Sequence, residues 1–237
     1  EYCDWEGVNE DFYRVAVEQG NFMAMRRAAF MEKPGAVPSK MVRLLELVED
    51  AFDAGEKVIV FTYFTSVIQR LSAALGDKAL SPIRGGTSPV ERQRIVDAFT
   101  NSKEPKVLIG QIQAAGTGLN IQAASIVILC EPQIKPTLES QAIARAHRMG
   151  QVRKVRVHRL IIENSVDQSL RAKLRRKVEE FDAYARESLL AEGSSLAKNT
   201  KDMSEDSIAK SVLAIEREKL GLSSEVNSLT EEKIDAD

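Results

Sequence analysis

Residues Lys57–Leu75 of the chain, KVIVFTYFTSVIQRLSAAL, join a short apolar run to a helical pattern. The run Lys57–Phe61 is rich in β-branched residues and predicts a buried strand. A helix is predicted to follow it, from about Ser66 to Leu75. A continuous apolar strand followed by an amphipathic helix is the repeating unit of a parallel sheet that helices cover on both faces.

The same alternation continues on both sides of this unit. Further strands are predicted at Leu80–Arg84, Lys106–Gly110, Ala124–Cys130 and Val155–Ile162. Further helices are predicted at residues 9–32, Ser39–Ala54, Ser88–Thr100, Thr137–His147, from Ser165 onward and at Met203–Leu220, with serine caps at residues 39, 88 and 165. Residues 57–162 therefore predict one α/β lobe with a parallel sheet of about five strands.

The organisation of the chain follows from the same patterns. We expect an N-terminal helical segment at residues 1–38, the α/β lobe at residues 39–164 and a helical extension at residues 165–237. The extension includes a linker, at residues 193–203, and an acidic tail. The first residue is Glu1 rather than Met, so we expect a piece of a longer protein. We expect neither a signal peptide nor a membrane span, since no apolar run approaches about 18 residues.

The charges are distributed unevenly although the net charge is only −2. Residues 141–177 carry 11 basic and 2 acidic side chains, whereas residues 1–56 and 178–237 are strongly acidic. A basic block in an acidic protein is typical of a phosphate-binding surface. A solvated helix face with mobile counterions is the alternative.

Cysteine and histidine residues do not indicate a metal site. Cys3 and Cys130 are far apart in the sequence, and Cys130 ends an apolar run, where we expect a buried, reduced thiol. The only two histidines, His147 and His158, have no partner cysteine nearby. We therefore expect a reducing, intracellular protein without a bound metal of its own.

Three segments have residue types that suit phosphate binding. In the predicted helix within Gln141–Gln151 (QAIARAHRMGQ), Gln141, Arg145 and Arg148 project from one face, and two guanidinium groups can clamp a polyphosphate. Ala114–Asn120 (AAGTGLN) places glycines after a strand, and Gly85–Ser88 (GGTS) precedes a well-capped helix. Taken separately, an exposed arginine-bearing helix, a simple loop and a plain helix cap are the alternatives.

The order of these segments resembles the Swi/Snf-type ATPases, a branch of the superfamily-two helicase-like motors, and the likeness is greatest to bacterial members. Four segments have this resemblance and are, in order, Lys57–Leu75, Gly85–Phe99 (GGTSPVERQRIVDAF), Ala114–Ala124 (AAGTGLNIQAA) and Gln141–Gln151. They are similar to the family's fourth motif, the segment after it, the fifth motif and the sixth motif. The resemblance implies a RecA-like lobe of the P-loop NTPase type without the P-loop.

The resemblance also implies roles for matching residues. Arg145 and Arg148 occupy the two arginine-finger positions, and Gln141 occupies the polar position that contacts nucleotide or its neighbours. Gly116, Gly118 and Asn120 match fifth-motif positions near the ribose and the cleft between lobes. Gly86 and Thr87 match the step that touches a DNA strand.

Two departures from the family pattern bear on these roles. The family often has an acidic residue before the first finger, where this chain has Ala144. The fifth motif usually begins Ser-Thr-Arg, and here the sequence is Gln111-Ile112-Gln113. Ile112 has no hydroxyl to offer DNA, so we expect Gln111 or Gln113 to make that contact.

Absent motifs define what this chain needs from elsewhere. It has neither the P-loop pattern Gly-x-x-x-x-Gly-Lys-Ser/Thr nor an Asp-Glu-x-His stretch. In the family both belong to the N-terminal ATPase lobe, so we expect ATP and magnesium to be held mainly there, and the isolated chain to be inactive.

The implied function is the C-terminal motor lobe of an ATP-dependent translocase on double-stranded DNA. The alternatives are a lobe of an RNA- or DNA-unwinding helicase and a degenerate, non-catalytic docking module. A DNA-bound protein complex is a possible further partner. The implied location is the cytoplasm, with the nucleoid, in a bacterium or the nucleus in a eukaryote.

Overall fold

The computed structural model describes residues 1–115, 121–147, 154–190 and 204–222, with side chains as far as residue 179 in the third range. The helices are α1 (Glu10–Glu18), α2 (Phe22–Ala28), α3 (Ser39–Asp53), α4 (Thr65–Leu75), α5 (Pro89–Asn101), α6 (Ile112–Ala115), α7 (Pro136–Ala146), α8 (Val166–Leu190) and α9 (Glu205–Lys219). The strands are β1 (Tyr2–Cys3), β2 (Val58–Thr62), β3 (Val107–Gln111), β4 (Ile126–Leu129), β5 (Arg156–Arg159) and β6 (Ile161–Ile162).

Four parallel strands form the central sheet, in the spatial order β3-β2-β4-β5. Val58 of β2 is aligned with Val107 of β3 on one side and with Ile126 of β4 on the other. Every residue of β2 and β4 is buried. These strands lack alternation of apolar and polar residues because both of their faces are covered. The predicted parallel α/β architecture is confirmed.

Two hydrophobic cores lie on the two faces of this sheet. One core packs Leu44 of α3 and Leu71 of α4 against alternate residues of the central strands. The other packs Phe99 of α5 and Ala142 of α7 against the remaining strand residues. Successive side chains of a strand point to opposite faces, so a single buried strand contributes to both cores.

The prediction of a regular strand at Leu80–Arg84 is wrong. The segment forms only isolated parallel bridges to β3, at Ala79 and Ile83. Pro82 lies between these positions, and because proline has no N–H it cannot complete a ladder of hydrogen bonds. The central sheet therefore has four regular strands in the described residues, rather than about five.

Two other predicted elements are each divided in the structure. The strand predicted at Val155–Ile162 is interrupted at Leu160, since β5 joins the central sheet and β6 pairs with β1 in a separate two-stranded sheet. The helix predicted at residues 9–32 is broken between α1 and α2. Gly20 has a φ of 67° there, and the Asn21 side chain accepts a hydrogen bond from the first turn of α2.

The predicted serine caps have mixed outcomes. Ser39 is not a cap: Pro38 holds the N-cap position of α3, and the Ser39 hydroxyl donates to the carbonyl of Asp4 at 2.6 Å. The hydroxyl of Ser88 does cap α5, accepting from a backbone N–H of the first turn at 3.3 Å. Ser165 Oγ likewise accepts a backbone N–H at the start of α8, at 3.1 Å.

Helix α9 packs against α1 and α8 through a polar cluster beside apolar contacts. Glu216 of α9 is buried, and its carboxylate accepts hydrogen bonds from Tyr13 Oη at 2.6 Å and Ser169 Oγ at 2.5 Å. Burial, with the Glu216 charge, raises the pKa of Tyr13 well above its ordinary range. The N-terminal helix α1 and the C-terminal helix α9 are thus joined to one another.

The division of the chain into segments at residues 38 and 164 stays a prediction.

None of the helices in the described ranges combines the length and the hydropathy of a membrane span.

Replacement of Asp167 by Ala is expected to lower the free energy of unfolding by about 3–5 kcal/mol, since it leaves a buried ammonium without its counter-ion. Lys40 Nζ contacts Asp167 Oδ2 at 2.5 Å, and both side chains are at most 1% exposed. The measurement is urea denaturation. Lys33→Ala, which removes an exposed ion pair with Glu10, is the control and should cost less than about 1 kcal/mol. Equal effects of the two substitutions would contradict this account.

Candidate nucleotide and nucleic-acid interface

Helix α7 carries two of the side chains predicted to contact nucleotide. Ala142 and Ala146 are buried against the sheet. Gln141 and Arg145 are four residues apart, so both lie on the face of α7 next to this buried one. Gln141 is exposed, and Arg145, in the last turn of the helix, is half-buried. Arg148 lies outside the described residues, so its position beside Arg145 stays a prediction.

The predicted fifth-motif loop has both of its ends fixed. Gly116, Gly118 and Asn120 lie outside the described residues, and their roles stay predictions. The loop follows the short helix α6 and ends at Ile121, whose N–H donates to the carbonyl of Arg145 at 3.2 Å. The structure therefore brings the end of this loop next to the helix that carries the predicted finger.

The segment Arg84–Ser88 forms a tight turn at the N-terminus of α5. Gly86 is exposed, and no atom lies within 4 Å of where its Cβ would be. Thr87 Oγ1 accepts a hydrogen bond from the Arg84 N–H at 2.9 Å, so its hydroxyl proton can still be donated outward. An open glycine beside a hydroxyl at a helix N-terminus suits a phosphate of a nucleic-acid backbone.

Arg92, which no sequence pattern singles out, connects this turn to α6. Its guanidinium donates to the carbonyls of Thr87 at 2.8 Å, Gly85 at 3.1 Å and Arg84 at 3.4 Å. The same group donates to the carbonyl of Ala114 at 3.1 Å. The turn predicted to touch DNA and the helix that leads into the fifth-motif loop are therefore held together by one side chain.

The three residues that depart from the family's fifth motif have different environments. Gln111 bridges two segments, because its Oε1 accepts from Gly85 N at 3.0 Å and its Nε2 donates to the Tyr63 carbonyl at 3.3 Å. Ile112 is buried in the core, and Gln113 is exposed. Of the two glutamines, Gln113 is therefore the better placed to contact DNA, and Gln111 is a structural bridge.

A buried carboxylate occupies the carboxyl ends of the two central strands. Glu131, two residues after the end of β4, is 1% exposed and lies beside the end of β2. It accepts hydrogen bonds from Thr62 Oγ1 at 3.0 Å, from Tyr63 N at 2.5 Å and from Gln133 Nε2 at 3.1 Å. Burial raises the pKa of Glu131, and the nearby Arg26 charge partly offsets that effect.

Arg26 of α2 covers the same end of the sheet. Its Nη2 donates to the carbonyl of Pro132 at 2.7 Å, and its guanidinium lies over the rings of Phe22, Tyr63 and Phe64 at 5.5–5.9 Å. The sequence signals for this cluster were weak. The sequence analysis did not select Glu131, although an acidic residue directly after the predicted strand Ala124–Cys130 is a signal for it, and nothing in the local sequence indicates Arg26.

The strand-end cluster bears on whether this chain could hold ATP by itself. The strand order changes direction between β2 and β4, and open α/β sheets bind ligands at such a position. Here Glu131 and its donors fill it, and a carboxylate disfavours a phosphate group. In the described ranges, no three His, Cys, Asp or Glu side chains are grouped so as to hold a metal ion. At this end of the sheet the described residues therefore form a filled polar cluster and not an open phosphate-binding pocket.

Ion pairs neutralise part of the basic block at residues 141–177. Arg159 contacts Glu139 at 2.8 Å, and Arg156 contacts Glu56. Both carboxylates belong to segments outside the block, so the positive field is weaker than the sequence alone predicts. Arg171, at the start of α8, is exposed.

The two cysteines are buried and free, as predicted for Cys130.

Comparison with known proteins gives one family match and many relatives. Residues 39–150 match the family described as helicase conserved C-terminal domain. The chain is 33% identical over 132 residues to an ATP-dependent helicase of Mycoplasma pneumoniae, 32% over 149 residues to DNA repair protein RAD5A of Arabidopsis thaliana and 31% over 155 residues to chromatin-remodeling ATPase INO80 of Candida albicans. These matches cover 55%, 62% and 65% of this chain and 13%, 14% and 11% of those proteins.

A solved structure supports the fold independently of sequence. The C-terminal part of the Fun30 ATPase domain superposes with a TM-score of 0.69 at 18% identity, over 93% of this chain and 96% of that one. The predicted α/β lobe with flanking helices is therefore confirmed as a fold shared with the C-terminal part of the Fun30 ATPase domain. Since the chain spans only a small part of its curated relatives, it corresponds to one portion of such proteins.

The Glu131 carboxylate should make stability depend on pH. A folded-state pKa above the ordinary value of 4.5 means that the folded chain binds the extra proton. The free energy of unfolding therefore falls as the pH rises from the ordinary pKa towards the raised one, by at most about 1.4 kcal/mol per pH unit. Glu131→Gln has no such proton. Its unfolding free energy, measured by urea denaturation, should rise relative to wild type from about pH 4.5 to pH 7.5.

The exposed Glu104→Gln substitution is the control for this measurement. A difference between Glu131→Gln and wild type that stays constant with pH would refute the interpretation of the cluster.

Proposed function

We infer that this chain, which carries the C-terminal helicase lobe of a Swi/Snf-type ATP-dependent helicase, serves as one motor lobe of a double-stranded-DNA translocase. The observation that carries the proposal is the connection between three segments. Ile121, at the end of the fifth-motif loop, is bonded to Arg145. Arg92 joins the helix before that loop to the turn Arg84–Thr87. A motor that converts hydrolysis into movement along DNA needs such proximity of nucleotide-facing and DNA-facing segments.

The nucleotide contacts are assigned to the face of α7 and the adjoining loop. Bound ATP would supply the phosphoanhydride whose hydrolysis drives movement, with magnesium held by the N-terminal ATPase lobe of the same protein. Arg145 and Arg148 would donate to the γ-phosphate oxygens as negative charge develops, since a guanidinium keeps its proton and presents several donors. Gln141 would hydrogen-bond the nucleotide or its neighbours.

The remaining assigned residues lie in the fifth-motif loop and the DNA-facing turn. Gly116, Gly118 and Asn120 would shape the cleft beside the ribose, where glycines let the backbone approach closely. Gly86, Thr87 and Gln113 would contact phosphates of one DNA strand. Contacts to phosphates fix position without reading sequence, as translocation along arbitrary DNA requires. ATP binding would close the two lobes on each other, and hydrolysis would reopen them.

Two other functions remain as alternatives. A lobe of an unwinding helicase would be favoured by stimulation with RNA as strong as with duplex DNA, or by robust strand displacement. A docking module without catalysis is favoured by Ala144, which leaves the first finger without the family's acidic neighbour. A DNA-bound protein complex is a proposed partner, and the proposed location is the nucleoid or the nucleus, according to organism.

Replacement of Arg145 by Ala in the whole protein, with its N-terminal ATPase lobe, should lower the turnover number for ATP by about 10³–10⁵-fold. The affinity for ATP should change little, because the other lobe holds the nucleotide. Turnover is measured at saturating DNA, and affinity with a fluorescent ATP analogue. Arg148→Ala should have a similar effect. Arg94→Ala, which removes an exposed ion pair on α5, is the control. Unchanged turnover in Arg145→Ala would contradict the finger role and support the docking module instead.

The chain by itself should hydrolyse no ATP above background, with or without DNA. It should bind duplex DNA weakly, and the logarithm of the binding constant should fall linearly with the logarithm of the salt concentration. Phosphate release and fluorescence anisotropy measure the two properties. Fast turnover by the purified chain would contradict the assignment of the ATP site to another lobe.

A further inference from the structure

Arg92 of α5 has an unusual set of hydrogen-bond partners. Its guanidinium donates to four backbone carbonyls, three in the turn Arg84–Thr87 and one at Ala114. These two segments are separated by 27 positions in the sequence and belong to different elements. Among the described residues, no carboxylate forms an ion pair with Arg92. Its role is therefore to hold backbone and not to balance a charge.

The chemistry of this contact requires an arginine. The planar guanidinium presents five N–H donors in a fixed fork, so it can bond carbonyls on two sides at once. A lysine ammonium is a single point with three donors and cannot span the same two segments. The Ala114 carbonyl also lies in the last turn of α6, where a helix lacks intrahelical donors and favours a positive charge.

The turn itself is fixed from a second side. The N–H of Gly85 donates to Gln111 Oε1 at 3.0 Å, whereas the carbonyl of Gly85 accepts from Arg92 at 3.1 Å. Both backbone polar groups of Gly85 are therefore hydrogen-bonded to other parts of the chain. Gly86, the next residue, is exposed and has open space where a Cβ would be. A movement of α6 would consequently move the turn, and a movement of the turn would move α6.

We propose that Arg92 is a positioning residue that couples the DNA-facing turn Arg84–Thr87 to the nucleotide-facing loop that starts after α6. The proposal rests on the function proposed above and deepens it by assigning how DNA contact reaches the nucleotide side. DNA bound at Gly86 and Thr87 stabilises one position of the turn. Arg92 transmits that position to Ala114, and so to the loop that ends against Arg145.

The first test measures local order in this chain alone, without DNA or ATP. Arg92→Lys keeps the charge and removes the fork, and Arg94→Lys, two residues away on the exposed side of α5, is the matched control. Amide hydrogen exchange is followed at Gly85 and Thr87. Because bonds to a charged donor are lost, Arg92→Lys should exchange at least about 10-fold faster there, with the amides of β2 unchanged. Equal acceleration in β2 would indicate general destabilisation and overturn the proposal.

The second test uses the whole protein and ATP hydrolysis. In Arg92→Lys the concentration of duplex DNA that gives half-maximal stimulation should rise about 10-fold or more, while the KM for ATP stays within about 2-fold. Arg94→Lys should behave as wild type. A lower turnover number with unchanged DNA dependence, or no effect at all, would overturn the proposal.

The two proposals fail in different ways. If Arg145→Ala abolishes turnover but Arg92→Lys leaves the exchange and the DNA dependence unchanged, the motor function stands and the coupling role of Arg92 is wrong. If Arg145→Ala leaves turnover unchanged, the motor function is wrong, and the coupling role of Arg92, which depends on it, is overturned too.

Discussion

The carboxylate of Glu131 sits between the ends of β2 and β4, where an open parallel sheet of this order would otherwise bind a ligand. The chain has no P-loop pattern to turn that position into a phosphate site, and the Glu131 side chain and its hydrogen-bond donors fill it. In the proposed function, the role of this chain in ATP hydrolysis is therefore exerted on a nucleotide that another lobe holds. The proposed function assigns that role to the exposed face and last turn of α7, which carry Gln141 and Arg145.

Buried charges near the same sheet end tie the flanking helices to the lobe. Arg26 of α2 bonds the Pro132 carbonyl, and Lys40 of α3 bonds both Asp167 of α8 and the Cys130 carbonyl. Each buried charge has several partners, which is the condition under which an interior tolerates it. The N-terminal segment and the start of α8 are in this way fixed to the strand ends on which the site is built, and the site acquires a rigid base.

The sequence predicted the parts of the structure that depend on local pattern. The apolar runs at β2, β3 and β4 are continuous because both sheet faces are covered, and the cap at Ser88 is local chemistry. Two of the errors, at Ser39 and at Val155–Ile162, occurred where a long-range contact decided the outcome, whereas Pro82 and Gly20 are local causes of the other two. The hydroxyl of Ser39 bonds Asp4 instead of capping its helix, and the strand at Val155–Ile162 divides because β1, from the other end of the chain, pairs with β6. The bond of Arg92 to the Ala114 carbonyl, 22 residues away, has no local sequence signal either.

In the proposed function, a guanidinium of this lobe reaches the γ-phosphate of ATP that is bound by the N-terminal ATPase lobe. The most direct measurement is a structure of the whole protein with duplex DNA and a transition-state analogue of ATP hydrolysis. The predicted result is a guanidinium nitrogen of Arg145 or Arg148 at about 3 Å from an oxygen, or its substitute, on the γ-phosphate position. The result would be contradicted if both guanidiniums lay more than about 10 Å from the γ-phosphate position in the closed, DNA-bound state. No direct hydrogen bond can span that distance.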